Sequence, residues 1–230
     1  MIYAANFKTN QTRKSTRQYI EELSVKLRTK DVRDKIYIFP PFTALDNYEG
    51  NFTIGAQNAY PVHNGAFTGE IGVEQLDEFG IKTILIGHSE RREYMAETQE
   101  KVAQKCAFFQ AQGFEIIYCI GEPLSIREKG FEPVMEYLLA QFEGIDIHYD
   151  KLVVAYEPIW AIGTGRSATA EEISATHSAL KKVINDTPLL YGGSVKPANI
   201  KEITSIAGVD GVLVGSASLD ADSFSQMVLS

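Results

Sequence analysis

The sequence predicts an α/β protein folded as a closed eight-stranded parallel (β/α)8 barrel. Short apolar runs of strand length recur at 2–6, 35–39, 52–56, 82–87, 114–119, 152–156, 188–191 and 211–215. None of them alternates cleanly between apolar and polar residues, as expected of strands covered on both faces. Helical patterns separate them, and that alternation leaves two architectures, an open doubly wound sheet or a closed barrel. Eight strand units in 230 residues favour the barrel, for which about 250 residues is typical. No linker, low-complexity tract or compositional break interrupts the chain, so residues 1–230 are expected to form one domain.

The connecting helices follow from their end signals. A helix is expected to begin at Ser15, with Gln18 completing a capping box and Tyr19, Leu23 and Leu27 along one face. The second and seventh gaps are short, and only a turn or two of helix fits after Phe39. Thr169 and Glu172 form another capping box ahead of Ile173, Leu180 and Ile184. Pro197 suits the first turn of a helix running to about Ala207, where Gly208 stops it. A last helix starts near Asp222.

Composition narrows the function. Hydrophobic content of 44% and charged content of 23% are globular values. A net charge of −8 and a pI near 5.1 argue against general binding of nucleic acid or anionic membrane. An anionic substrate must therefore be drawn by a local positive site against the average field. Cys106 and Cys119 make neither a disulfide framework nor a zinc pattern, which fits a reduced, cytoplasmic setting. The first residues lack a basic leader and a long apolar core, so no signal peptide is expected. No apolar run approaches the roughly 20 residues that span a bilayer.

In a barrel all strand C-termini meet at one face, and chemistry happens there. Useful residues do collect at the predicted strand ends: Asn6 and Lys8, His88 and Glu90, Glu157, Gly192-Gly193-Ser194, and Gly215-Ser216. Glu157 closes an apolar run and is followed by Pro158, Ile159, Trp160, Ala161, Ile162, Gly163, Thr164, Gly165 and Arg166. Pro158 holds Glu157 extended, and the apolar stretch after it is expected to be neither strand nor helix. A strand-end carboxylate before a greasy loop with a glycine hinge suits a catalytic base under a lid; a buried turn filled by Trp160 is the plainer alternative. The loops after the seventh and eighth strands are the usual phosphate cradle of such barrels, although small residues there also permit tight turns without a ligand. They match neither G-x-G-x-x-G nor a Walker loop, so no nucleotide is indicated.

His88 lies at a strand end just before a helix, where the dipole disfavours imidazolium. A neutral ring there can donate to a substrate oxygen while accepting from the backbone. Arg91 and Arg92 fit a solvated or salt-bridged helix start better than a phosphate site. His63, His148 and His177 are isolated and take no assigned chemistry. Lys8 could be a Schiff-base nucleophile, a phosphate counter-ion or a surface residue; nothing adjacent would depress its pKa, which favours the counter-ion.

Taken in order, Asn6-Phe7-Lys8, Gly55-Ala56-Gln57-Asn58, Gly65-Ala66-Phe67-Thr68-Gly69-Glu70, Gly87-His88-Ser89-Glu90-Arg91-Arg92, Cys119-Ile120-Gly121-Glu122, the stretch from Ala155 through Glu157 to Gly165, and Tyr191-Gly192-Gly193-Ser194 resemble the triosephosphate isomerase family from end to end. The resemblance implies the TIM barrel fold and interconversion of dihydroxyacetone phosphate and D-glyceraldehyde 3-phosphate, with no metal and no organic cofactor. It implies Glu157 as the base, His88 as the group that polarises and shuttles between oxygens, and Lys8 and Asn6 stabilising the enediolate. The glutamate base and neutral histidine are a known pairing of this family and are carried over with it. Glu90 would orient Lys8 or the substrate hydroxyl. The phosphate would rest on backbone N–H groups of Gly163, Ser194, Gly215 and Ser216. Residues 158–166 would be the lid, pressing Ile162 toward Leu213 over Glu157 and keeping the enediolate from eliminating its phosphate.

The loop between His63 and Glu70 would insert into a second copy of the chain and bring Thr68 near that copy's Asn6 and Lys8, which implies a homodimer. Ser216 stands where the family usually has glycine, and its N–H serves only with a negative φ or mild strain. Arg166 stands where lysine is common. Two rivals remain: a phosphoribosyl-type barrel isomerase, which would need a larger pocket and other acid and base residues, and a non-catalytic barrel binding protein, which would not need Lys8, His88 and Glu157 together.

Overall fold

The computed structural model describes residues 1–28, 34–162 and 167–230. Its eight strands are β1 (Ile2–Asn6), β2 (Lys35–Phe39), β3 (Thr53–Ile54), β4 (Thr83–Ile86), β5 (Glu115–Glu122), β6 (Leu152–Pro158), β7 (Leu189–Tyr191) and β8 (Gly211–Val214). They form one parallel sheet in the order β3-β2-β1-β8-β7-β6-β5-β4. Its two ends meet at Ala56, just past β3. The Ala56 N–H donates to Thr83 O at 2.9 Å, and its carbonyl accepts from Leu85 N–H at 2.9 Å. The sheet is thereby a ring, the TIM barrel that the sequence predicts.

Strand parity decides what enters the ring, because successive side chains on a strand face opposite sides. Ile2, Ala4, Tyr37, Phe39, Leu85, Ile117, Cys119, Val153, Ala155, Leu190 and Leu213 form one buried cluster inside it. Their sequence neighbours, among them Tyr3, Ala5, Ile38, Tyr118, Val154 and Tyr156, belong to the larger cluster under the helices. Continuing the inward rows by two residues leads from Ala4 to Asn6, from Ala155 to Glu157, from Leu190 to Gly192 and from Leu213 to Gly215. The same alternation that fills the core thus aims these four positions at the mouth of the barrel.

The helices depart from expectation in three places. Thr12, not Ser15, caps the first helix, Arg13–Leu27. The Thr12 hydroxyl accepts from Ser15 N–H at 3.2 Å and the Ser15 hydroxyl accepts from Thr12 N–H at 2.8 Å, so Ser15 closes the box from within the first turn. Gln18 instead donates to Glu22 at 2.9 Å. The helix expected from Pro197 to Ala207 spans only Ile200–Ser205, because Asn199 accepts from Lys196 N–H at 2.8 Å and donates to Ser194 O at 3.0 Å, holding the preceding residues as a turn. Finally, β6 runs through Pro158, and Ile159–Ala161 forms one 3-10 turn where no helix was expected; proline is tolerated just ahead of a helical turn. The Thr169–Glu172 box before Ala170–Ile184 is as predicted. So is the gap after Phe39, which holds only the 3-10 turn Phe42–Ala44. The closing helix is Ala221–Val228, capped by Asp220. Among the described residues no helix is long and apolar enough to cross a membrane, and Cys106 and Cys119 are free and buried.

His177 is less isolated than its sequence context suggests. Its ring is fully buried against Tyr156 and Tyr191, with centroids 5.8 and 6.2 Å away. Nδ1 lies 3.0 Å from Gly208 O and so donates to it, while Nε2 has no hydrogen-bond partner among the described residues. Burial pushes this imidazole down to about 4, with the Gly208 carbonyl pulling weakly the other way. An unfolded histidine protonates near pH 6.5. The neutral ring therefore favours the fold above that pH, and its contribution is lost as the pH falls from about 6.5 through 4. The full effect is on the order of 3 kcal/mol. Urea unfolding at pH 7 and pH 4.5 should show a larger acid-induced loss of stability in the wild type than in His177→Gln; equal losses would remove His177 as the titrating group.

Candidate active site

The inward rows open into a cavity of about 440 Å³ at the C-terminal mouth of the barrel. Asn6, Lys8, His88 and Glu157 line it together with Ser194, Gly215 and Ser216, and Ile162 and Leu213 supply apolar wall. Residues expected at the ends of β1, β4, β6, β7 and β8 are thus brought to one space. Glu90 stands just beside it, in a smaller cleft that also touches Lys8 and His88.

Glu157 is 2% exposed. One carboxylate oxygen accepts from His88 Nε2 at 2.9 Å and the other from the Ser89 N–H at 3.0 Å. Burial raises its pKa, but His88, the Ser89 N–H and Lys8 together outweigh burial and hold it below the usual value. Gly192 makes space for it, since a Cβ there would lie 3.1 Å from Glu157 Cγ. The Ser89 contact carries no side-chain signature and is invisible in the sequence.

His88 follows Gly87, whose φ of 77° only glycine adopts readily, and it caps the helix Ser89–Tyr94. Its Nδ1 accepts from Glu90 N–H at 3.3 Å, so the ring carries its proton on Nε2, pointing into the cavity and onto Glu157. Burial lowers this imidazole, yet the Glu157 and Glu90 carboxylates together outweigh it and raise the pKa above the usual histidine value. That direction runs against the expectation from the helix dipole alone. The Nδ1 contact, which needs an unprotonated nitrogen, is the feature that keeps the neutral tautomer. Arg91 pairs with Glu97 at 2.6 Å, and Arg92 donates to Gly87 O at 2.8 Å and Tyr118 OH at 3.0 Å. Arg92 is therefore a structural brace rather than a solvated helix start.

Lys8 has φ of 52°, a left-handed backbone that costs a non-glycine residue roughly 1–2 kcal/mol. Its N–H donates to Asn6 Oδ1 at 3.0 Å and its ammonium meets Glu90 at 2.7 Å. Glu90 in turn lies 3.6 Å from His88 Nδ1. Lys8, His88 and Glu157 therefore border one cavity, with Glu90 in the cleft beside it. An ammonium held by a carboxylate at the cavity wall suits a counter-ion.

Among the described residues, nothing accepts from the backbone N–H groups of Ser194, Gly215 and Ser216. These donors are available to an anion in the cavity. Ser216 begins the 3-10 turn Ser216–Ser218 and is not among the residues with positive φ, so replacing glycine brings no strain there. Gly163, Thr164, Gly165 and Arg166, expected in the lid and phosphate site, lie outside the described residues. The near half of that stretch is anchored: Trp160 Nε1 donates to Glu122 at 2.9 Å, Tyr156 OH donates to the same oxygen at 3.1 Å, and the Arg127 guanidinium lies 5.3 Å from the Trp160 ring. Burial raises the Glu122 carboxyl despite these donors. Sequence reasoning assigned Glu122 no role, because it meets its partners across 34 and 38 residues.

The loop between His63 and Glu70 is exposed throughout, and Phe67, 41% exposed, rests on the Tyr60 ring at 4.6 Å. None of His63, His148 and His177 lines the cavity.

Comparison with known proteins bears on this geometry. The family model described as "Triosephosphate isomerase" matches residues 1–230. A triosephosphate isomerase of Sulfurovum sp. (strain NBC37-1) is 67% identical over 228 residues, covering 99% of both chains. One of Sulfurimonas denitrificans is 54% identical over 99% of this chain and 94% of its own, and one of Wolinella succinogenes is 54% identical over 99% of each. With the match running the full length, and a carboxylate, an imidazole and an ammonium meeting at the barrel mouth, the chain belongs to the triosephosphate isomerase family.

Proposed function

We propose that the chain interconverts dihydroxyacetone phosphate and D-glyceraldehyde 3-phosphate through an enediolate, with Glu157 as the base. Family membership supports the reaction and does not favour the phosphoribosyl or non-catalytic readings. The observation that carries the mechanism is the Glu157–His88 contact at 2.9 Å inside a cavity also lined by Lys8. A substrate carbonyl oxygen that accepts a hydrogen bond from His88 Nε2–H displaces the carboxylate from the ring. The freed carboxylate is left beside the substrate carbon, removes its proton, and returns it to the neighbouring carbon. His88 then moves a proton between the two oxygens. Lys8 and Asn6 face the charge that develops on them, in a site where burial makes each interaction stronger than in water.

The phosphate is assigned to the backbone N–H groups of Ser194, Gly215 and Ser216, with Gly163 as the contribution of the lid. Small residues are needed there so that the backbone itself can approach the anion. Ile162 and Leu213 wall the same cavity, which supports a lid that closes apolar surface over the carboxylate and strengthens it as a base. Two buried free thiols and the acidic surface fit a cytoplasmic enzyme.

We assign the exposed loop 63–70 to a homodimer contact. Tyr94 and Met95 are 68% and 62% exposed, and Met95 lines the cleft with Lys8 and Glu90. Large apolar side chains left open beside a reacting ammonium call for cover.

A coupled assay of triose phosphate interconversion, inhibited competitively by phosphoglycolate, tests the reading as a whole; no turnover would overturn it. Glu157→Asp withdraws the base by about one methylene, and a shift near 1 Å costs on the order of 10²-fold in kcat. An unchanged turnover number would remove Glu157 from that role. Analytical ultracentrifugation should give a dimer whose dissociation lowers activity, whereas a fully active monomer would defeat the loop assignment.

A further inference from the structure

Lys8 must hold its ammonium in the cavity from a left-handed backbone, with φ of 52°. Asn6 accepts its N–H and Glu90 holds its side-chain tip. Neither contact fixes the carbonyl, and the carbonyl side of the residue is what swings when a left-handed residue relaxes. The Glu90 contact is also a partly exposed one, with 42% of that side chain open to water, so it restrains the tip weakly.

Among the described residues the Lys8 carbonyl has one hydrogen-bond partner, the Gln57 side-chain amide. Gln57 Nε2 donates to Lys8 O at 2.8 Å and to Phe39 O at 2.8 Å. Phe39 O also accepts from Phe7 N–H at 3.1 Å, so the amide is referenced to the rim of β2 and to the chain just past β1. A primary amide is suited to this, as a neutral group with two donor hydrogens in a fixed plane. A cation would compete with Lys8 for Glu90 and substrate, and a hydroxyl offers only one hydrogen.

We propose that Gln57 is a positioning residue for the isomerisation, clamping the Lys8 carbonyl so that the left-handed backbone persists and the ammonium stays over the reacting oxygens and phosphate. This rests on the role given to Lys8 above. The competing view is that Gln57 merely ties strand ends together, and a double-mutant cycle separates the two.

The cycle uses wild type, Gln57→Leu, Lys8→Met and the double variant of the full chain, each checked for folding by circular dichroism and for assembly by ultracentrifugation. The readouts are kcat/KM and the inhibition constant of phosphoglycolate. Gln57→Leu should lower kcat/KM by roughly 10- to 100-fold and weaken phosphoglycolate binding. On the Lys8→Met background the same change should cost less than about twofold. Equal losses on both backgrounds, or wild-type kinetics in Gln57→Leu, overturn the proposal while leaving Lys8 in the site. Wild-type kinetics in Lys8→Met overturn both.

Should Gln57→Leu fail to fold, Gln57→Glu decides. Its protonated acid can donate one hydrogen to one carbonyl, and its carboxylate can donate none. Its kcat/KM should therefore fall as the pH rises through the ionisation of that acid. The step should be absent from the wild type and from Lys8→Met/Gln57→Glu. A step of equal size in that double variant overturns the proposal, as does a flat profile in Gln57→Glu.

Discussion

The whole arrangement depends on a parity constraint. In a closed barrel each strand offers its residues only two directions, into the ring or out under the helices. A slip of one residue on β6 would place Tyr156 at the mouth and bury Glu157 against helices. The apolar pairs Val153–Ala155 inside and Leu152–Val154 outside forbid that slip, because both faces are buried and the register is fixed by packing. The geometry of the cavity is thus a by-product of core packing, since the carboxylate is aimed by the residues two and four positions before it.

Electrostatics then decides which buried charges are tolerable. Lys8 and Glu90 pair where water still reaches them, whereas Glu157 is enclosed with His88 and Ser89. Removing a partner of Glu157 leaves its charge uncompensated in a poor solvent. A second network follows the same rule without facing the cavity: Glu97 accepts from Arg91 and Lys105, and Lys105 also donates to Asn58. Burial opposes ionisation of Glu97, but Lys105 and Arg91 outweigh it and lower its pKa. This ties the helix after β4 to the chain just past β3, so the segment carrying His88 is fixed from behind as well as from its own cap.

How much of this the sequence carries differs by kind of interaction. β1 and β2 are legible to the residue because each apolar run stops at a change of chemistry. β3 is shorter than its apolar run because only Thr53 and Ile54 pair with β2, and the Phe39 ring occupies the space beside Gly55. β5 and β6 run longer, since Gly121 and Glu122 pair with Glu157 and Pro158; polar residues that mark a strand end in most contexts are here the working end of the strand. Ser15 and Gln18 match a capping pattern as well as Thr12 and Ser15 do, and only the backbone distinguishes them. Lys8, His88 and Glu157 could be found because each stands at the rim beside a recognisable run. Gln57 and Glu122 could not be assigned roles, because they act on atoms far along the chain and, for Gln57, on carbonyl oxygens that every residue possesses.

The ring is not equally strong around its circumference. β5 and β6 are joined over seven residues, whereas β3 pairs two residues with β2 and reaches β4 only through the bridge at Ala56. That bridge is the shortest joint of the sheet, where local opening is expected first. Gln57, Asn58 and the protruding loop 63–70 all follow it within a few residues. A partial opening too small to register as melting would therefore reach the Lys8 backbone, through Gln57, and the exposed loop 63–70 together.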